Sequence, residues 1–243
     1  MIKLEINNIK KTFGGLKVLK GLTFQVEGPE LLGLIGPNGA GKTTLVNILG
    51  GLIKPTSGTV YLNGRRIDPF PPYIIARAGI GRTFQVTRAL NRMTVLENLY
   101  VPALAKNPGA NKNDFKKSAM EILEFLTIEH LRDEYAKVLS GGQRKLLEMG
   151  RLFMLNPDIM ILDEPFAGVH PRLREIIFQY IQRANGNGKG VIIISHDMDT
   201  IFKLSKRLLV LHNGYLIADD IPEVVKEQPA VIEAYLSRDE DGE

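Results

Sequence analysis

Short segments of alternating apolar and polar residues open the chain. Residues 2–7 (IKLEIN) and 18–26 (VLKGLTFQV) have the period of two that half-buried antiparallel strands show. A Gly14–Gly15 turn lies between them, and a further strand, Thr59 to Leu62, precedes the hairpin signal Asn63–Gly64. The chain is therefore predicted to begin with antiparallel strands.

Continuous apolar runs occur at Leu31 to Ile35, Asp158 to Glu164 and Gly190 to Ile194. Strands that are buried on both faces, as in parallel sheets, have this pattern rather than alternation. A short strand is also predicted at residues 79–84. Residues 207–212 and 215–219 are predicted to form a hairpin through Asn213–Gly214.

Apolar residues at helical spacing dominate the middle of the chain. Helices are predicted over Thr94 to Leu104, Asp114 to Leu126 and Gly142 to Leu155. Asp114 is the predicted N-cap of the second helix, and residues 106–113 form a polar loop before it. Later helices, each with a proline at its start, are predicted over Pro171 to Arg183, Pro222 to Lys226 and Pro229 to Leu236.

These elements predict an α/β fold with a helical insertion. Residues 1–86 hold the antiparallel β part and the first half of an α/β core, and residues 87–157 form a helical subdomain. Residues 158–221 complete the core, and residues 222–243 form terminal helices with an acidic tail.

The composition excludes few classes of protein. The 243 residues are 44% hydrophobic and 24% charged, which are ordinary values for a globular protein large enough to bury a full core. The net charge of +4 selects neither nucleic acid nor a membrane surface. The chain has no cysteine, which excludes disulfides and thiolate metal sites. Neither a signal peptide nor an uncharged apolar run of membrane-spanning length is present, so the polypeptide is not expected to cross a bilayer by itself.

The residues after the first apolar run match the phosphate-binding loop pattern. Gly36 and Gly41 frame a loop between a strand and a helix, and Lys42 and Thr43 follow it. Glycines allow backbone N–H groups to wrap a phosphate at a helix N-terminus. Lys42 is expected to reach the β- and γ-phosphates, and the Thr43 hydroxyl is expected to ligate Mg²⁺. The candidate nucleotide-binding residues of this loop are Gly36, Pro37, Asn38, Gly39, Ala40, Gly41, Lys42, Thr43 and Thr44.

Polar side chains follow several of the predicted core strands. Asp163 and Glu164 end one buried strand, and ligands of open α/β sheets bind beyond such strand ends. Asp163 is a candidate Mg²⁺ ligand, and Glu164 is a candidate for orienting and polarising an attacking water. Gln85 and His196 follow other strands at the same edge of the sheet. Gln85 is a candidate contact for a metal or water, and His196 is a candidate contact for the γ-phosphate.

A second anion-binding helix start is predicted at residues 139–143 (LSGGQ). Ser140 is a good N-cap, and two glycines follow it at the start of the third predicted helix. One chain is not expected to place two such helix termini around one phosphate. We therefore infer that this segment serves another subunit.

Taken in order, these motifs resemble an ATP-binding cassette (ABC) ATPase. The Walker A loop at 36–43, Gln85, LSGGQ at 139–143, the Walker B strand with Glu164, and His196 follow one another as in that family, over nearly the whole chain. The resemblance implies a P-loop NTPase fold, with a RecA-like core, an antiparallel β subdomain and an inserted α-helical subdomain. It also implies a head-to-tail dimer that holds ATP between one subunit's P-loop and the other's Ser140, Gly141, Gly142 and Gln143.

The resemblance also implies roles for single residues. Phe13, which either packing or base stacking would explain on its own, looks like the adenine-stacking aromatic, and Val18 looks like a further nucleotide contact. Glu164 resembles the catalytic base and His196 the switch histidine. Gln85 resembles the Q-loop residue that touches Mg²⁺ and the membrane partner. The implied catalytic residues are Glu164, His196 and Gln85, and the implied metal ligands are Thr43, Gln85 and Asp163.

Two branches of the family share motifs with this chain. GRTFQ at 81–85, MTVLENL at 93–99 and VIEAYL at 231–236 resemble the ATPase subunits of branched-chain amino acid importers. DEPFAGVHP at 163–171 and IEHLRD at 128–133 instead resemble the lipopolysaccharide-export ATPase. An importer of branched-chain or other hydrophobic amino acids is favoured, because RTFQ and the MTV helix lie on the face that resembles the membrane-docking surface. His170 stands in the D-loop where the family usually has Asp, a departure that concerns communication across the dimer rather than ATP binding.

The resemblance implies a protein at the cytoplasmic face of the cell membrane. Its implied partners are a second ATPase subunit, either a copy or a paralogue, integral membrane permease subunits and, indirectly, a solute-binding protein. A soluble ABC ATPase that acts on DNA or ribosomes is the alternative of another class. The DNA-acting proteins need a long coiled coil, and the ribosomal ones carry two cassettes, whereas this chain has one P-loop and only short predicted helices. No nucleic-acid partner is therefore expected.

Overall fold

The computed structural model describes residues 2–84 and 89–236, so the predicted site residue Gln85 lies outside the described residues. The strands are β1 (Lys3–Phe13), β2 (Leu16–Glu27), β3 (Leu31–Ile35), β4 (Ser57–Leu62), β5 (Arg65–Arg66), β6 (Ile80–Arg82), β7 (Ile159–Asp163), β8 (Gly190–Ile194), β9 (Arg207–His212) and β10 (Tyr215–Asp220). The helices are α1 (Lys42–Leu49), α2 (Pro72–Ala78), α3 (Val95–Lys106), α4 (Lys112–Phe125), α5 (Gly141–Leu155), α6 (Pro171–Gly186), α7 (Met198–Leu204), α8 (Pro222–Val225) and α9 (Pro229–Leu236).

The early strands form a small antiparallel sheet in the order β2-β1-β4-β5. Phe13 pairs with Leu16 across the predicted glycine turn, and β4 turns into β5 through Asn63–Gly64. Asn63 has a φ of 51°, a left-handed conformation that asparagine tolerates better than most residues. The predicted antiparallel strands are thus confirmed.

The larger sheet has six strands in the order β10-β9-β3-β8-β7-β6. β3 pairs in parallel with both β8 and β9, and β7 pairs in parallel with β6 and β8, whereas β10 is antiparallel to β9. Because parallel strands share one carboxyl edge, the loops after β3, β7 and β8 meet there. This arrangement explains why β3, β7 and β8 are buried at every position.

Alternate residues of β3 face two different hydrophobic cores. Leu32 and Leu34 belong to a core that includes the small sheet and α1, whereas Leu31 and Ile35 belong to a core that includes α3, α4, α5 and α6. The strand therefore has an apolar side chain on each face, which is why its sequence is a continuous apolar run.

The helical subdomain contains α3, α4 and α5, as predicted, but the predicted cap of α4 is wrong. The N-cap is Asn111, whose side chain accepts a hydrogen bond from the Asn113 N–H at 2.8 Å. The Asp114 carboxylate accepts from the Asn111 N–H at 2.8 Å and so closes a capping box. Asp114 acts from inside the first turn, where a negative charge also suits the helix dipole.

The remaining differences concern short elements. The apolar pattern did not predict α2 or α7, because each has only seven residues, too few to display a helical period. The predicted division at 157/158 falls between α5 and β7, and that at 221/222 falls between β10 and α8. In the part of the chain that the structure describes, no helix combines the length and apolar character needed to cross a membrane.

Candidate active site

A cavity of about 480 Å³ lies at the carboxyl edge of the large sheet. It contains residues from the loop after β3, from the ends of β7 and β8, and from β2. Its lining residues are Leu16, Val18, Asn38, Gly39, Gly41, Lys42, Thr43, Thr44, Asp163, Glu164, Ile194 and His196. The structure therefore brings most of the predicted loop, both carboxylates and His196 to one place, whereas Gly36, Pro37 and Ala40 do not line the cavity.

The backbone of the loop requires glycine at both of its ends. Gly36 has a φ of 146°, and a Cβ there would lie 2.1 Å from the carbonyl oxygen of Leu211. Gly41 has a φ of 109°, and a Cβ there would lie 2.6 Å from a methyl group of Leu19. Any side chain at these positions would be both strained and sterically blocked. The loop pattern thus has a steric cause in this structure.

Lys42 begins α1 and turns back over the loop. Its ammonium donates to the carbonyl oxygens of Gly36 at 2.6 Å and Pro37 at 2.9 Å. Gly41, the N-cap of α1, has no side chain to cap the first N–H groups of the helix. A lysine ammonium beside such a helix start presents a positive site for a phosphate.

Asp163 ends β7 and lines the cavity although it is only 6% exposed. Its backbone N–H donates to the Thr83 hydroxyl at 3.1 Å, which fixes β7 against β6. Burial raises the pKa of the Asp163 carboxyl, and the Arg82 guanidinium, 3.7 Å away, acts in the opposite direction. Arg82 is therefore a countercharge to Asp163 that sequence patterns did not reveal.

Glu164 follows Asp163 with a φ of 48°, an uncommon value for a residue other than glycine. Its Oε2 accepts a hydrogen bond from the Ser195 hydroxyl at 3.2 Å and lies 2.9 Å from Nδ1 of His196. The Glu164 side chain is 14% exposed, whereas that of His196 is 77% exposed. Two residues that follow β8 thus orient one carboxylate oxygen of Glu164.

Oxygen donors suited to a metal ion also lie in the cavity. Thr43 and Asp163 both line it, and Mg²⁺ characteristically binds one or two protein oxygens together with phosphates and water. Over residues 2–84 and 89–236, no cluster of three His, Asp or Glu side chains could hold a metal by itself. The donor set fits Mg²⁺ that enters with a phosphate ligand.

The aromatic residue that was expected to contact the nucleotide is not among the residues that line the cavity. Phe13 is 46% exposed and does not line the cavity, and the Lys11 ammonium lies 4.8 Å from the centre of its ring. Val18, whose role as a nucleotide contact stays a prediction, lines the cavity together with Leu16, which no sequence pattern indicated. The stacking role of Phe13 remains a prediction.

The LSGGQ segment does not line this cavity. Ser140 is the N-cap of α5, where its side chain accepts from the Gln143 N–H at 3.3 Å, and the Gln143 side chain accepts from the Ser140 N–H at 2.9 Å. Ser140 and Gly141 are exposed, and none of residues 140–143 lines the cavity. A well-formed helix start thus lies outside the cavity that the phosphate loop of its own chain forms.

Two buried charged residues on α5 were also missed. Burial lowers the pKa of the Lys145 ammonium and raises the pKa of the Glu148 carboxyl. Glu148 accepts the Phe84 N–H at 2.8 Å, so it joins the helical subdomain to the segment after β6. Their spacing in the sequence could have indicated that they lie together, since residues three apart on a helix lie on the same face, which is the buried face here.

Comparison with known proteins gives consistent matches. Residues 19–167 match the family described as "ABC transporter". A similar protein from Archaeoglobus fulgidus is named "Probable branched-chain amino acid transport ATP-binding protein LivG". The two are 37% identical, over 96% of this chain and 95% of the relative.

Solved structures resemble the chain along nearly its whole length. The ADP conformation of MJ1267, an ATP-binding cassette of an ABC transporter, has a TM-score of 0.84 and 37% identity and covers 97% of this chain and 99% of its own. A dimeric, post-hydrolysis structure of the cassette MJ0796 with ADP and Pi has a TM-score of 0.82 and 27% identity, over 90% of this chain and 98% of its own.

Proposed function

Because this chain belongs to the ABC transporter family and is an ATP-hydrolysing transporter subunit, we propose that it energises the import of branched-chain amino acids. The observation that carries the proposal is the similarity, collinear over 96% of the chain, to a relative named for that transport. The motifs GRTFQ and MTVLENL, which resemble the importer branch, support the same assignment.

In the proposed reaction, Lys42 and the loop N–H groups bind the phosphates of ATP, and Glu164 orients the attacking water. The Ser195 hydroxyl and His196 hold the Glu164 carboxylate in place, as their contacts indicate. Thr43 and Asp163 would hold Mg²⁺, which neutralises phosphate charge when it is bound. Most of the rate acceleration would then come from positioning and electrostatic stabilisation rather than from covalent chemistry.

A second chain would complete the site. The exposed helix start at Ser140 presents the positive end of a helix dipole to an anion, but it lies outside the cavity of its own chain. A head-to-tail dimer would bring Ser140 to Gln143 of one chain to the loop of the other. The similar cassette MJ0796 is described as dimeric with ADP and Pi, which supports the formation of a dimer.

Membrane subunits would receive the motion of the helical subdomain. Residues 88–100 are the proposed contact, of which Arg88 lies outside the described residues. Residues 95–100 belong to α3, which packs against α5, the helix that begins after Ser140. This role implies permease subunits as direct partners and a solute-binding protein as an indirect one. It also implies a peripheral position at the cytoplasmic face of the membrane. The alternative of a DNA-acting ATPase has less support, since the longest described helix, α6, has 16 residues and cannot form the required coiled coil.

Tagged native chain and tagged Glu164→Gln would each be expressed in cells depleted of this protein, with uptake of radiolabelled leucine and co-purified membrane partners as readouts. Native chain is expected to restore uptake, and Glu164→Gln is expected to recover the same two permease subunits without restoring uptake. Recovery of a lipid-export permease pair, or leucine uptake that does not depend on the chain, would overturn the importer assignment. Recovery of nucleic-acid proteins alone would overturn transport altogether.

A further inference from the structure

Arg174, in the first turns of α6, reaches across to the start of α7. Its Nη2 donates to Oδ2 of Asp197 and, at 3.1 Å, to the hydroxyl of Thr200. The guanidinium also lies 5.6 Å from the centre of the Phe166 ring. None of these residues lines the cavity of the active site. The contact therefore joins two helices beside the site rather than within it.

Asp197 is connected to the site through the chain on its N-terminal side. It directly follows Ser195 and His196, the two residues that contact the Glu164 carboxylate. The Asp197 N–H donates to the Ser195 hydroxyl at 3.0 Å, and that hydroxyl donates in turn to Glu164. Displacement of Asp197 would therefore displace both groups that orient Glu164.

The Asp197 side chain is also the N-cap of α7. Oδ1 accepts the Thr200 N–H at 3.1 Å, which leaves Oδ2 for Arg174 and for the Thr200 hydroxyl at 2.9 Å. Burial acts to raise the pKa of Asp197, but the hydrogen bonds from Thr200 and the Arg174 guanidinium outweigh it and lower that pKa. The carboxylate is thus ionised and fully partnered, which favours one fixed position.

We propose that Arg174 is a positioning residue for ATP hydrolysis, which holds Ser195 and His196 against Glu164 by anchoring Asp197 to α6. The proposal rests on the proposed role of Glu164 as the group that orients water. His170 is the N-cap of α6 and stands at the position that the family resemblance assigns to the D-loop. Through Arg174, the helix that begins at the D-loop is tied to the segment that holds the Glu164 carboxylate.

Steady-state ATPase measurements on Arg174→Gln, Arg174→Lys, Asp197→Asn and the Arg174→Gln/Asp197→Asn double variant test the proposal. Active sites are counted by titration with a fluorescent ATP analogue, so that any unfolded fraction does not enter kcat. Asn is as good an N-cap as Asp, so Asp197→Asn removes the ion pair while it keeps the cap of α7. Arg183→Gln is the matched control, because Arg183 lies near the other end of α6 and contacts Phe125 instead.

Arg174→Gln is expected to lower kcat about tenfold with KM for ATP unchanged, because the loss affects the orientation of Glu164 and not nucleotide binding. Asp197→Asn is expected to have a similar effect, and the double variant no larger one, since both changes break the same contact. Arg174→Lys is expected to recover part of kcat, because an ammonium supplies the charge without the fork of donors. Arg183→Gln is expected to match the native chain.

A kcat within about twofold of native for Arg174→Gln would overturn the proposal, as would losses in the double variant that multiply to about a hundredfold. An equal loss in Arg183→Gln would also overturn it, since the effect would then come from α6 in general. Glu164→Gln separates this result from the proposed function. If that variant hydrolyses ATP normally, the role of Glu164 fails, whereas an inactive Glu164→Gln beside a normal Arg174→Gln refutes only the role of Arg174.

Discussion

Nδ1 of His196 lies 2.9 Å from Oε2 of Glu164, although the two residues are 32 positions apart. The contact exists because β8, which precedes His196, pairs in parallel with β7, which precedes Glu164. The Glu164 N–H also donates to the Ile194 carbonyl oxygen at 2.8 Å, so the backbone holds the two strand ends together. The Glu164 carboxylate is therefore held at the cavity in a defined orientation.

Glu164→Gln is expected to bind ATP like the native chain and to lose at least about a hundredfold in kcat, because an amide cannot accept a proton from water. Binding of a fluorescent ATP analogue and phosphate release measure the two properties separately. Glu233→Gln, on the exposed surface of α9, is the control. Phosphate release near the native rate would show that Glu164 is not the base.

Ser140→Arg is expected to leave the ATP affinity of the single chain unchanged, because Ser140 does not line the cavity of its own chain. It is expected to abolish ATP-dependent dimerisation and to reduce hydrolysis at least about tenfold, since the bulky cation would occupy the helix start offered to the partner. Gel filtration with ATP and phosphate release measure the effect, with Ser118→Arg on the exposed face of α4 as control. Weakened ATP binding in the isolated chain would contradict a role in a second subunit.

Gly36→Ala is expected to destabilise the chain by about 2 kcal/mol or more, because the added Cβ would overlap the Leu211 carbonyl oxygen in a strained backbone conformation. Urea unfolding followed by circular dichroism measures the loss. Gly186→Ala is the matched control, since nothing lies within 4 Å of its Cβ position at the end of α6. Equal midpoints for the native chain and Gly36→Ala would mean that the loop relaxes without cost.

Glu148→Gln is expected to stabilise the chain at pH 7, because burial raises the pKa of Glu148 and so disfavours its charged form in the folded state. The amide oxygen can still accept the Phe84 N–H. For a carboxyl whose folded pKa is raised, native stability falls as pH rises from the unfolded value of about 4.3 through the folded pKa. The advantage of Glu148→Gln should therefore be present at pH 7 and vanish below about pH 4.

Thermal unfolding midpoints across this pH range measure the difference between native chain and Glu148→Gln. Glu121→Gln, on α4 of the same subdomain, removes only an exposed ion pair with Lys117 and is expected to leave the midpoint almost unchanged across this range. An advantage of Glu148→Gln that persists unchanged at pH 3.5 would point to packing rather than to the buried charge.

Local patterns in the sequence determined much of this protein. The phosphate loop is contiguous, and the need for glycine at Gly36 and Gly41 and the placement of Lys42 at the start of α1 could be predicted from it. The cap at Ser140 could be predicted for the same reason, since its hydrogen bonds span three residues. Hydrogen bonds and backbone preferences that act between near neighbours are encoded where they occur.

Only the tertiary structure decided which distant groups meet. The order of the strands places Arg82 beside Asp163, and the packing of α6 against the start of α7 joins Arg174 to Asp197. Phe13 and Leu16 pair across one turn, yet only Leu16 lines the cavity. Such contacts depend on how whole sheets and helices bury their apolar faces, which no short segment specifies. The sequence therefore determined the chemical groups and their local backbone conformation, and tertiary packing determined the partners that orient them.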